Sequence, residues 1–275
     1  MADRQRAKTK SLTRLRVLRT ERLTPHMIRV VAGGAGLATF VGNEFTDAYV
    51  KVLFPTPGVA YPEPFDLQRI RAEYPREHWP PIRSYTVRYH DEKAGELAID
   101  FVYHGNEGLA GPWAARAQPG DELLLLGPGG AYAPSDEPDW HLLVGDESAL
   151  PAIAASLEAM PAGVLVHVFV EIEDGSEEQP LATKGNAHVR WLHRTAGENI
   201  VETVRALDFP EGSAQAFVHG EAGFVRALRR HLLEERGVNK DLLSISGYWR
   251  RGKTDEDWRA EKAAEKAAEN AAERG

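Results

Sequence analysis

Residues 141–171, HLLVGDESALPAIAASLEAMPAGVLVHVFVE, contain the pattern that decides the fold of the second half of the chain. The short apolar run His141–Val144 predicts a buried strand, and Ser148–Ala159 predicts a helix capped by its own first serine or by Asp146. Val164–Glu171 is almost continuously apolar, which predicts a second buried strand. A strand, a helix and a strand in this order form the repeating unit of a parallel sheet.

The same alternation continues towards the end of the chain. Further strands are predicted at Val189–Leu192, Ala214–His219 and Leu242–Ser246, and further helices at Ile200–Ala206 and Ala222–Arg236, the latter stopped by Gly237. We therefore expect a parallel-sheet, nucleotide-binding α/β domain over residues 136–253. Residues 254–275 are rich in Ala, Glu and Lys, which predicts a solvated helical tail.

The first half, residues 1–135, has a different period. Short strands are predicted as a pair within Leu15–Val31 and singly at Ala48–Phe54, Ser84–Tyr89, Glu96–His104 and Glu122–Leu126, with a short helix at Leu109–Ala117. A long Pro-rich loop with one short helix is expected between Pro57 and Pro81. Many short strands with little helix predict a β-barrel domain.

Composition excludes several classes of function. The net charge of −8 argues against non-specific nucleic-acid binding, and an anionic ligand would need a local basic pocket. No apolar run approaches about 18 residues, so no membrane span is expected, and the basic start lacks the apolar region of a secretory signal. The chain is therefore expected to be cytoplasmic. The absence of Cys excludes disulfides, thiolate zinc sites and iron–sulfur clusters, and the His spacing predicts no metal site.

A barrel followed by an α/β domain suggests a flavin reductase, and the motif R-S-Y-T at residues 83–86 supports this interpretation. Arg83 offers a planar, charged fork that suits a phosphate group. Tyr85 lies one strand step away on the same face and offers a flat ring and a hydroxyl group. Thr86 points to the other face, from which its hydroxyl or backbone could reach a flavin ring nitrogen.

Other motifs accompany R-S-Y-T at fixed places in the chain. They are DFVYHGNEGLAGPWAARAQPGD at 100–121, GPGGAY at 127–132, GDESALPA at 145–152, HGE at 219–221 and GYWRRG at 247–252. Glycines before a helix start present free backbone N–H groups, which suit a pyrophosphate. Taken together over residues 15–255, these motifs resemble the siderophore-interacting protein family. The resemblance implies a ferredoxin-reductase-like fold, with a Greek-key FAD-binding barrel before a nicotinamide-nucleotide domain.

The resemblance also implies the cofactor-binding residues. FAD would be held by Arg83, Ser84, Tyr85, Thr86, Asp100, Phe101, Val102, His104, Gly108, Ala110, Gly111, Trp113 and Ala114, with Tyr248 or Trp249 against the flavin ring. The family usually has a small hydroxyl residue where Gly111 stands, so only the backbone N–H remains at that position.

A nicotinamide nucleotide is expected at the turn after the first strand of the second domain. Its predicted site is Gly145, Asp146, Glu147, Ser148, Ala149, Glu171, Arg194, Gly220 and Glu221. Asp146 and Glu147 could face a ribose or cap the helix. Glu171 suits a ribose 2′-hydroxyl and favours NADH, whereas Arg190 and Arg194 suit the 2′-phosphate of NADPH. The sequence leaves NADPH, NADH and a ferredoxin as alternative electron donors.

Ferric siderophores are often anionic, so we expect a basic substrate pocket formed by Lys51, Arg116, Arg250 and Arg251. The predicted function is a cytoplasmic reductase that transfers electrons from NADPH or NADH through FAD to a ferric siderophore and releases Fe(II) for iron assimilation. The flavin does the chemistry, so no side chain is predicted to be catalytic. Two alternatives are a general flavin or ferredoxin-type reductase and a non-enzymatic siderophore-binding carrier.

Overall fold

The structure, a computed structural model, describes residues 12–272, with side chains described over residues 12–264. The outer ends of the predicted first domain and of the predicted tail, residues 1–11 and 273–275, lie outside the described residues. The chain divides into two compact units: one extends to Leu23 and resumes over Ile28–Gly130, and the other comprises Thr24–Met27 and the chain from Ala131 onward. The domain boundaries predicted at 135 and 253 stay predictions.

The first unit is built from short strands and two short helices among the described residues. These elements are β1 (Leu12–Thr24), β2 (Met27–Gly33), β3 (Tyr49–Leu53), α1 (Leu67–Glu73), β4 (Ile82–Asp91), β5 (Glu96–Val102), α2 (Ala110–Arg116) and β6 (Glu122–Gly129). The strands close into a barrel in the order β1-β2-β5-β4-β3-β6, with β1 antiparallel to β6 at the closure. This confirms the predicted barrel.

The barrel core comes from strand positions two residues apart. Leu97, Ile99 and Phe101 on β5 and Val50 and Val52 on β3 are fully buried. Burial of each such side chain stabilises the fold by about 2 kcal/mol. Because alternate side chains of a strand point to opposite faces, the outer face of these strands is the one available to polar side chains.

The second unit alternates strands and helices. Its elements are β7 (Trp140–Asp146), α3 (Leu150–Ala159), β8 (Leu165–Ile172), β9 (Asn186–His193), α4 (Ile200–Arg205), β10 (Ala214–Glu221), α5 (Ala222–Arg230), β11 (Leu243–Trp249) and α6 (Asp255–Ala272). The strands form one sheet in the order β11-β10-β7-β8-β9, with every neighbouring pair parallel. This confirms the predicted parallel sheet, and α5 continues as a wider π-helical turn to Glu235 before Gly237.

The strand order of this sheet reverses direction once. The chain runs from β7 through β8 to β9 on one side, and then returns to place β10 and β11 on the other side of β7. The switch point therefore lies between β7 and β10, where Asp146 and Glu221 end their strands. Ligands of open parallel sheets bind outside the carboxyl ends of the strands at such a point.

The predicted cap of α3 is wrong. The helix begins at Leu150 with Ala149 at the N-cap and no side-chain cap, so neither Ser148 nor Asp146 caps it. The reason is that Asp146 accepts hydrogen bonds from Ser148 and from the neighbouring strand ends instead. Pro151 in the first turn has no N–H, which reduces the need for a cap.

The predicted helical tail is confirmed as α6, but its first turns are not simply solvated. Trp258 is only 5% exposed, because its ring lies against the second unit near Gly247. Glu261 pairs with Arg250 at 2.8 Å, and Lys262 donates a hydrogen bond to the carbonyl oxygen of Gly247 at 2.8 Å. These contacts were not predicted, because the low-complexity sequence of the tail shows no apolar stripe.

Candidate functional site

The R-S-Y-T segment lies on β4, where its register against β3 sorts the side chains by face. Ser84 is opposite Lys51, and Tyr85 is opposite Val50. Residues paired across two antiparallel strands share a face of the sheet. Tyr85 therefore lies on the face of the buried Val50, while Ser84 and Lys51 share the outer face, where both are exposed. The structure thus brings a predicted cofactor residue and a predicted substrate residue side by side.

Aromatic side chains pack against Tyr85. The ring centroids of Tyr85 and Phe101 are 4.3 Å apart, and those of Phe101 and Trp113 are 5.6 Å apart. Phe101 is fully buried and Trp113 is half-buried, so both act as packing residues in this unit, as do the buried Ala110 and Ala114. Tyr85 itself is half-buried. Its ring is therefore packed on the fully buried ring of Phe101, which restricts its movement.

The polar residues around this ring occupy different depths. Arg83 is half-buried, and one of its guanidinium nitrogens donates to the carbonyl oxygen of Ile82 at 3.0 Å. Thr86 is buried, whereas His104 and Gly108 are exposed on the turn between β5 and α2, and Val102 at the end of β5 is half-buried. Part of Arg83 and the turn are thus open to solvent, whereas Thr86 is not.

Gly111 stands where α2 comes closest to the end of β5. A Cβ atom at this position would lie 2.8 Å from the carbonyl oxygen of Val102 and 3.2 Å from the Cα of Tyr103. A side chain at position 111 would therefore press against the end of β5 unless α2 moved. Ala110 and Gly111 are the first two residues of α2, so their N–H groups have no carbonyl partner within the helix.

Asp100 forms a buried ion pair that the sequence analysis missed. Its two carboxylate oxygens accept hydrogen bonds from Nε and Nη2 of Arg29 at 2.7 and 2.8 Å, and its side chain is 4% exposed. The hydrogen bond to Asp100 raises the pKa of Arg29 although burial opposes this. Asp100 is therefore an internal counter-charge. The signal was a single Arg within the apolar strand Met27–Gly33.

In the second unit, Asp146 connects three strand ends. Its Oδ1 accepts the N–H of Ser148 at 2.9 Å and the hydroxyl of Ser148 at 2.5 Å, and its Oδ2 accepts the N–H of Glu221 and the indole N–H of Trp249, both at 2.8 Å. Burial raises the pKa of Asp146 to about 6, against the lowering effect of the Ser148 hydrogen bond. The structure thus joins the GDES, HGE and GYWRRG motifs through one carboxylate.

Arg194 is surrounded by carboxylates. Its guanidinium forms an ion pair with the buried Glu147 and lies 3.3 Å from Glu173 and 3.7 Å from Glu171. Burial lowers the pKa of Arg194, but the hydrogen bond and charge of Glu147 outweigh it, so the pKa is raised. Burial likewise raises the pKa of Glu171. The two residues expected to choose between NADH and NADPH are thus paired with each other, while Arg190 is exposed beside Glu198.

The remaining residues of the predicted nucleotide site either cap a helix or pack against one. Glu221 accepts hydrogen bonds from the N–H groups of Gly223 and Phe224 and so caps α5. Gly145 faces α3, since a Cβ atom there would lie 2.6 Å from the Cβ of Ala149. These residues shape the carboxyl edge of the sheet, with Gly220 next to Asp146.

The aromatic pair at the end of β11 is split between the core and the surface. Tyr248 is half-buried and its ring centroid lies 4.9 Å from that of His219, whereas Trp249 is 37% exposed. Both belong to the second unit, and the other predicted flavin residues belong to the first. Their expected place against the flavin ring stays a prediction.

The predicted substrate cations are likewise distributed over the two units. Lys51 on β3 and Arg116 at the end of α2 are exposed in the first unit. In the second unit Arg250 pairs with Glu261, and the backbone N–H of Arg251 donates to Glu221 at 3.2 Å. Of these four residues, Arg250 is thus partly committed to the tail helix.

The described residues contain neither a metal-binding cluster nor a helix that could span a membrane. Among the described residues, no group of three or more His, Asp or Glu side chains is placed to hold a metal ion. None of the described helices combines the length and the apolar character that crossing a membrane requires.

Two family descriptions match the chain in tandem. The siderophore-interacting FAD-binding domain matches residues 16–132, and the siderophore-interacting protein domain matches residues 138–252. The chain is 44% identical over 263 residues to an uncharacterized protein of Mycobacterium tuberculosis, which covers 90% of this chain and 93% of that protein.

Two relatives whose names state an activity match over a similar length. The ferric vibriobactin reductase ViuB of Vibrio cholerae is 33% identical over 250 residues, with 89% of this chain and 92% of that protein covered. The NADPH-dependent ferric-chelate reductase of Escherichia coli is 32% identical over 241 residues, with 86% and 91% covered.

Solved structures agree with the sequence relatives. A siderophore utilization protein from T. fusca superposes with a TM-score of 0.76 at 37% identity, covering 89% of this chain and 95% of that chain. The siderophore-interacting protein SipS from Aeromonas hydrophila gives 0.77 at 30% identity, covering 93% and 98%. The ferredoxin-NADP+ reductase of Plasmodium falciparum, at 9% identity, 0.64 and coverage of 86% and 97%, shares the fold. The chain therefore belongs to the siderophore-interacting protein family, with a ferredoxin-reductase-like fold and an FAD-binding barrel.

Proposed function

We propose that this protein is a cytoplasmic, FAD-dependent ferric-siderophore reductase, which takes electrons from NADPH or NADH and releases Fe(II) for iron assimilation. The relatives named ferric vibriobactin reductase and ferric-chelate reductase support this reaction class. The observation that carries the proposal is the rigid ring of Tyr85, supported by Phe101, on the strand that also carries Arg83. A cytoplasmic location is part of the proposal, since nicotinamide nucleotides are supplied there.

The residues of the first unit fit FAD. Tyr85 offers a half-buried flat surface for the flavin or its ribityl chain, and Arg83 offers a charged fork for the pyrophosphate. The N–H groups of Ala110 and Gly111 add neutral donors for the same phosphates. Gly111 has no side chain, so α2 can pack closely against β5, where Ala110 and Gly111 are themselves buried. We propose that residues up to about 135 hold the cofactor in this way.

When bound, FAD supplies the conversion between a two-electron hydride donor and a one-electron ferric acceptor. The chain itself then has to bind, orient and exclude water rather than provide an acid–base group. The second unit would hold the nucleotide at its switch point between β7 and β10. Lys51 and Arg116 would attract an anionic chelate against the net charge of −8.

The electron donor is the finer part of the proposal. The E. coli relative is named NADPH-dependent. In the present structure Arg194 is engaged by Glu147, Glu171 and Glu173, so binding a 2′-phosphate there would require it to exchange partners. We therefore test both nucleotides, with a ferredoxin as the remaining alternative.

The deciding experiment is an anaerobic assay on the purified protein. Its visible spectrum is recorded, and NADPH or NADH is added with a ferric siderophore and a ferrous trap. The expected result is a flavin spectrum that bleaches, with trapped Fe(II) that depends on the protein. The variant Arg83→Met should lose flavin, while Arg88→Met, which removes the same charge from the same strand, should keep it.

Other outcomes separate the alternatives. A protein that cannot be loaded with FAD contradicts the proposal. A flavin-loaded protein that binds the chelate but is reduced by neither nucleotide and by no ferredoxin favours a siderophore carrier. A protein that exchanges its flavin freely and reduces free flavin as readily as the chelate is a general flavin reductase.

A further inference from the structure

Trp249 combines exposure with a fixed orientation. Its side chain is 37% exposed at the end of β11, yet its indole N–H donates to Oδ2 of Asp146 at 2.8 Å. An exposed aromatic side chain normally samples several rotamers, and a hydrogen bond to a charged group restricts it. The ring is thus presented to solvent as a surface of fixed direction.

The carboxylate that holds Trp249 is itself fixed from two sides. Asp146 is 1% exposed. Its Oδ1 accepts a hydrogen bond from the N–H of Ser148, and its Oδ2 accepts one from the N–H of Glu221. Gly220 makes room for it, since a Cβ atom there would lie 2.6 Å from Oδ2 of Asp146. Gly220 also has a φ of 138°, which side chains rarely adopt. The local backbone is therefore shaped to admit this carboxylate.

The location of this arrangement indicates its ligand. Asp146 ends β7 and the N–H of Glu221 ends β10, so the carboxylate bridges the two strands that flank the switch point of the sheet. Trp249 is paired in register with Glu221 and so lies beside the same point. Nucleotides of open parallel sheets bind there.

The shape of the Trp249 side chain suits a nicotinamide ring. A flat indole face can stack on a flat nicotinamide ring, whether that ring is reduced and neutral or oxidised and charged. Charged groups of both signs lie nearby: Glu147 and Glu221 stand beside Asp146 on the neighbouring segments, and Arg251 follows Trp249.

We propose that Asp146 is a positioning residue, which fixes the indole ring of Trp249 as the surface against which the nicotinamide nucleotide binds. This inference rests on the proposed function only in taking a nicotinamide nucleotide as the donor. It changes the part expected of Asp146: the carboxylate acts through Trp249 and faces neither a ribose nor the first turn of α3.

The test measures nucleotide binding directly. The dissociation constants of NADP+ and NAD+, which cannot reduce the flavin, are determined by calorimetric titration of the oxidised, flavin-loaded protein. The variant Trp249→Phe keeps a flat ring and removes the N–H, and Asp146→Asn keeps the shape and removes the charge. Each should weaken nucleotide binding about tenfold, because a charge-assisted hydrogen bond is lost. Trp191→Phe, which alters a half-buried indole on β9, is the matched control and should bind as the unchanged protein does.

A double variant separates positioning from general damage. If Asp146 acts through Trp249, the variant carrying both Asp146→Asn and Trp249→Phe should bind no more weakly than Asp146→Asn alone. The fluorescence of Trp249 is the difference in emission between the unchanged protein and Trp249→Phe. The wavelength of this emission should shift in Asp146→Asn, since the indole ring is released from its hydrogen bond. Flavin content should stay the same in Asp146→Asn and Trp191→Phe, and nucleotide affinity in every variant is measured on protein loaded fully with flavin.

Three results would overturn the inference. They are unchanged nucleotide affinity in Trp249→Phe, fully additive losses in the double variant, and a failure of the unchanged protein to bind either nucleotide. If Asp146→Asn does not fold, Trp249→Phe alone decides between the first result and the expected one. Nucleotide binding that depends on Trp249 without any ferric reduction would refute the proposed function and leave this inference standing.

Discussion

Asp100 in the first unit and Asp146 in the second are both buried carboxylates that the sequence assigned to binding sites, yet they are neutralised differently. Asp100 faces the guanidinium of Arg29, which meets both of its oxygens. Asp146 has neutral partners among the described side chains: the Ser148 hydroxyl, the indole of Trp249 and backbone N–H groups. A full opposite charge compensates burial, whereas neutral donors compensate it only in part.

The difference teaches how each carboxylate can be used. A buried carboxylate that is paired with an arginine has a fixed position, and removal of the arginine lowers the free energy of unfolding strongly. A carboxylate held by neutral donors keeps a raised pKa, about 6 for Asp146, so its hydrogen bonds can change within the physiological range. The first site is thus built to stay constant, and the second can respond to pH.

Removing Arg29 should have the largest effect. Arg29→Met leaves Asp100 charged and buried, and we expect the free energy of unfolding to fall by about 3 kcal/mol, measured by urea denaturation. Adding Asp100→Asn should recover most of this loss. The control Arg69→Met breaks an exposed pair with Glu73 and should cost far less, because solvent screens exposed charges. Equal losses in the two arginine variants would remove the distinction between the two carboxylates.

Packing of α2 against β5, the strand that carries Asp100, should come second. Gly111→Ala places a Cβ atom 2.8 Å from the carbonyl oxygen of Val102, so α2 must shift away from β5. We expect a loss of about 1–3 kcal/mol in the same denaturation experiment, together with weaker flavin retention. Gly42→Ala, where the nearest atom would be 3.5 Å away, is the control. A stable Gly111→Ala protein with normal flavin content would show that α2 can shift without harm, so that the first site is not rigid.

Acidification should separate the two carboxylates next. Burial raises the pKa of Asp146 to about 6, so the group is ionised above this pH and protonated below it. Protonation turns one acceptor oxygen into a donor, so nucleotide affinity should fall about tenfold between about pH 8 and about pH 5. Asp146→Asn should lose this dependence, whereas any contribution from the nearby Glu147 or Glu221 would persist in it.

The same shift has the opposite sign for stability. Because the folded pKa of Asp146 lies above its ordinary value, its contribution to stability is complete below that ordinary value and declines as the pH rises through about 6. Asp146 alone therefore gives no acid unfolding in this window. A loss of nucleotide affinity that follows unfolding, rather than preceding it, would contradict the assignment.

The partly exposed pair between Arg250 and Glu261 of the tail helix should show the smallest effect. Arg250 and Glu261 are about one-third exposed, so Glu261→Gln should lower the free energy of unfolding by about 0.5 kcal/mol. High salt should remove most of the difference, because solvent screens exposed charges. A loss as large as that of Arg29→Met would mean that α6 is held far more tightly than a surface pair allows.

The elements were predictable where their signal is local. The alternation in Glu96–His104 and the apolar run Val164–Glu171 both became strands, because a strand's period is visible in its own residues. The cap of α3 was wrong, because whether Asp146 turns to the helix or to β10 depends on a strand that lies 75 residues away in the chain. Arg29 was missed for the same reason, being 71 residues from Asp100.

By itself, the sequence determined the two-part architecture, the family and the segments that carry binding residues, since period, turn residues and motif spacing are properties of neighbouring positions. Only the tertiary structure decided which carboxylate meets which partner. It paired Glu171 with Arg194, Asp100 with Arg29, and Asp146 with Trp249. The physical reason is that the charge state and direction of a buried side chain depend on groups that the fold brings within hydrogen-bond distance.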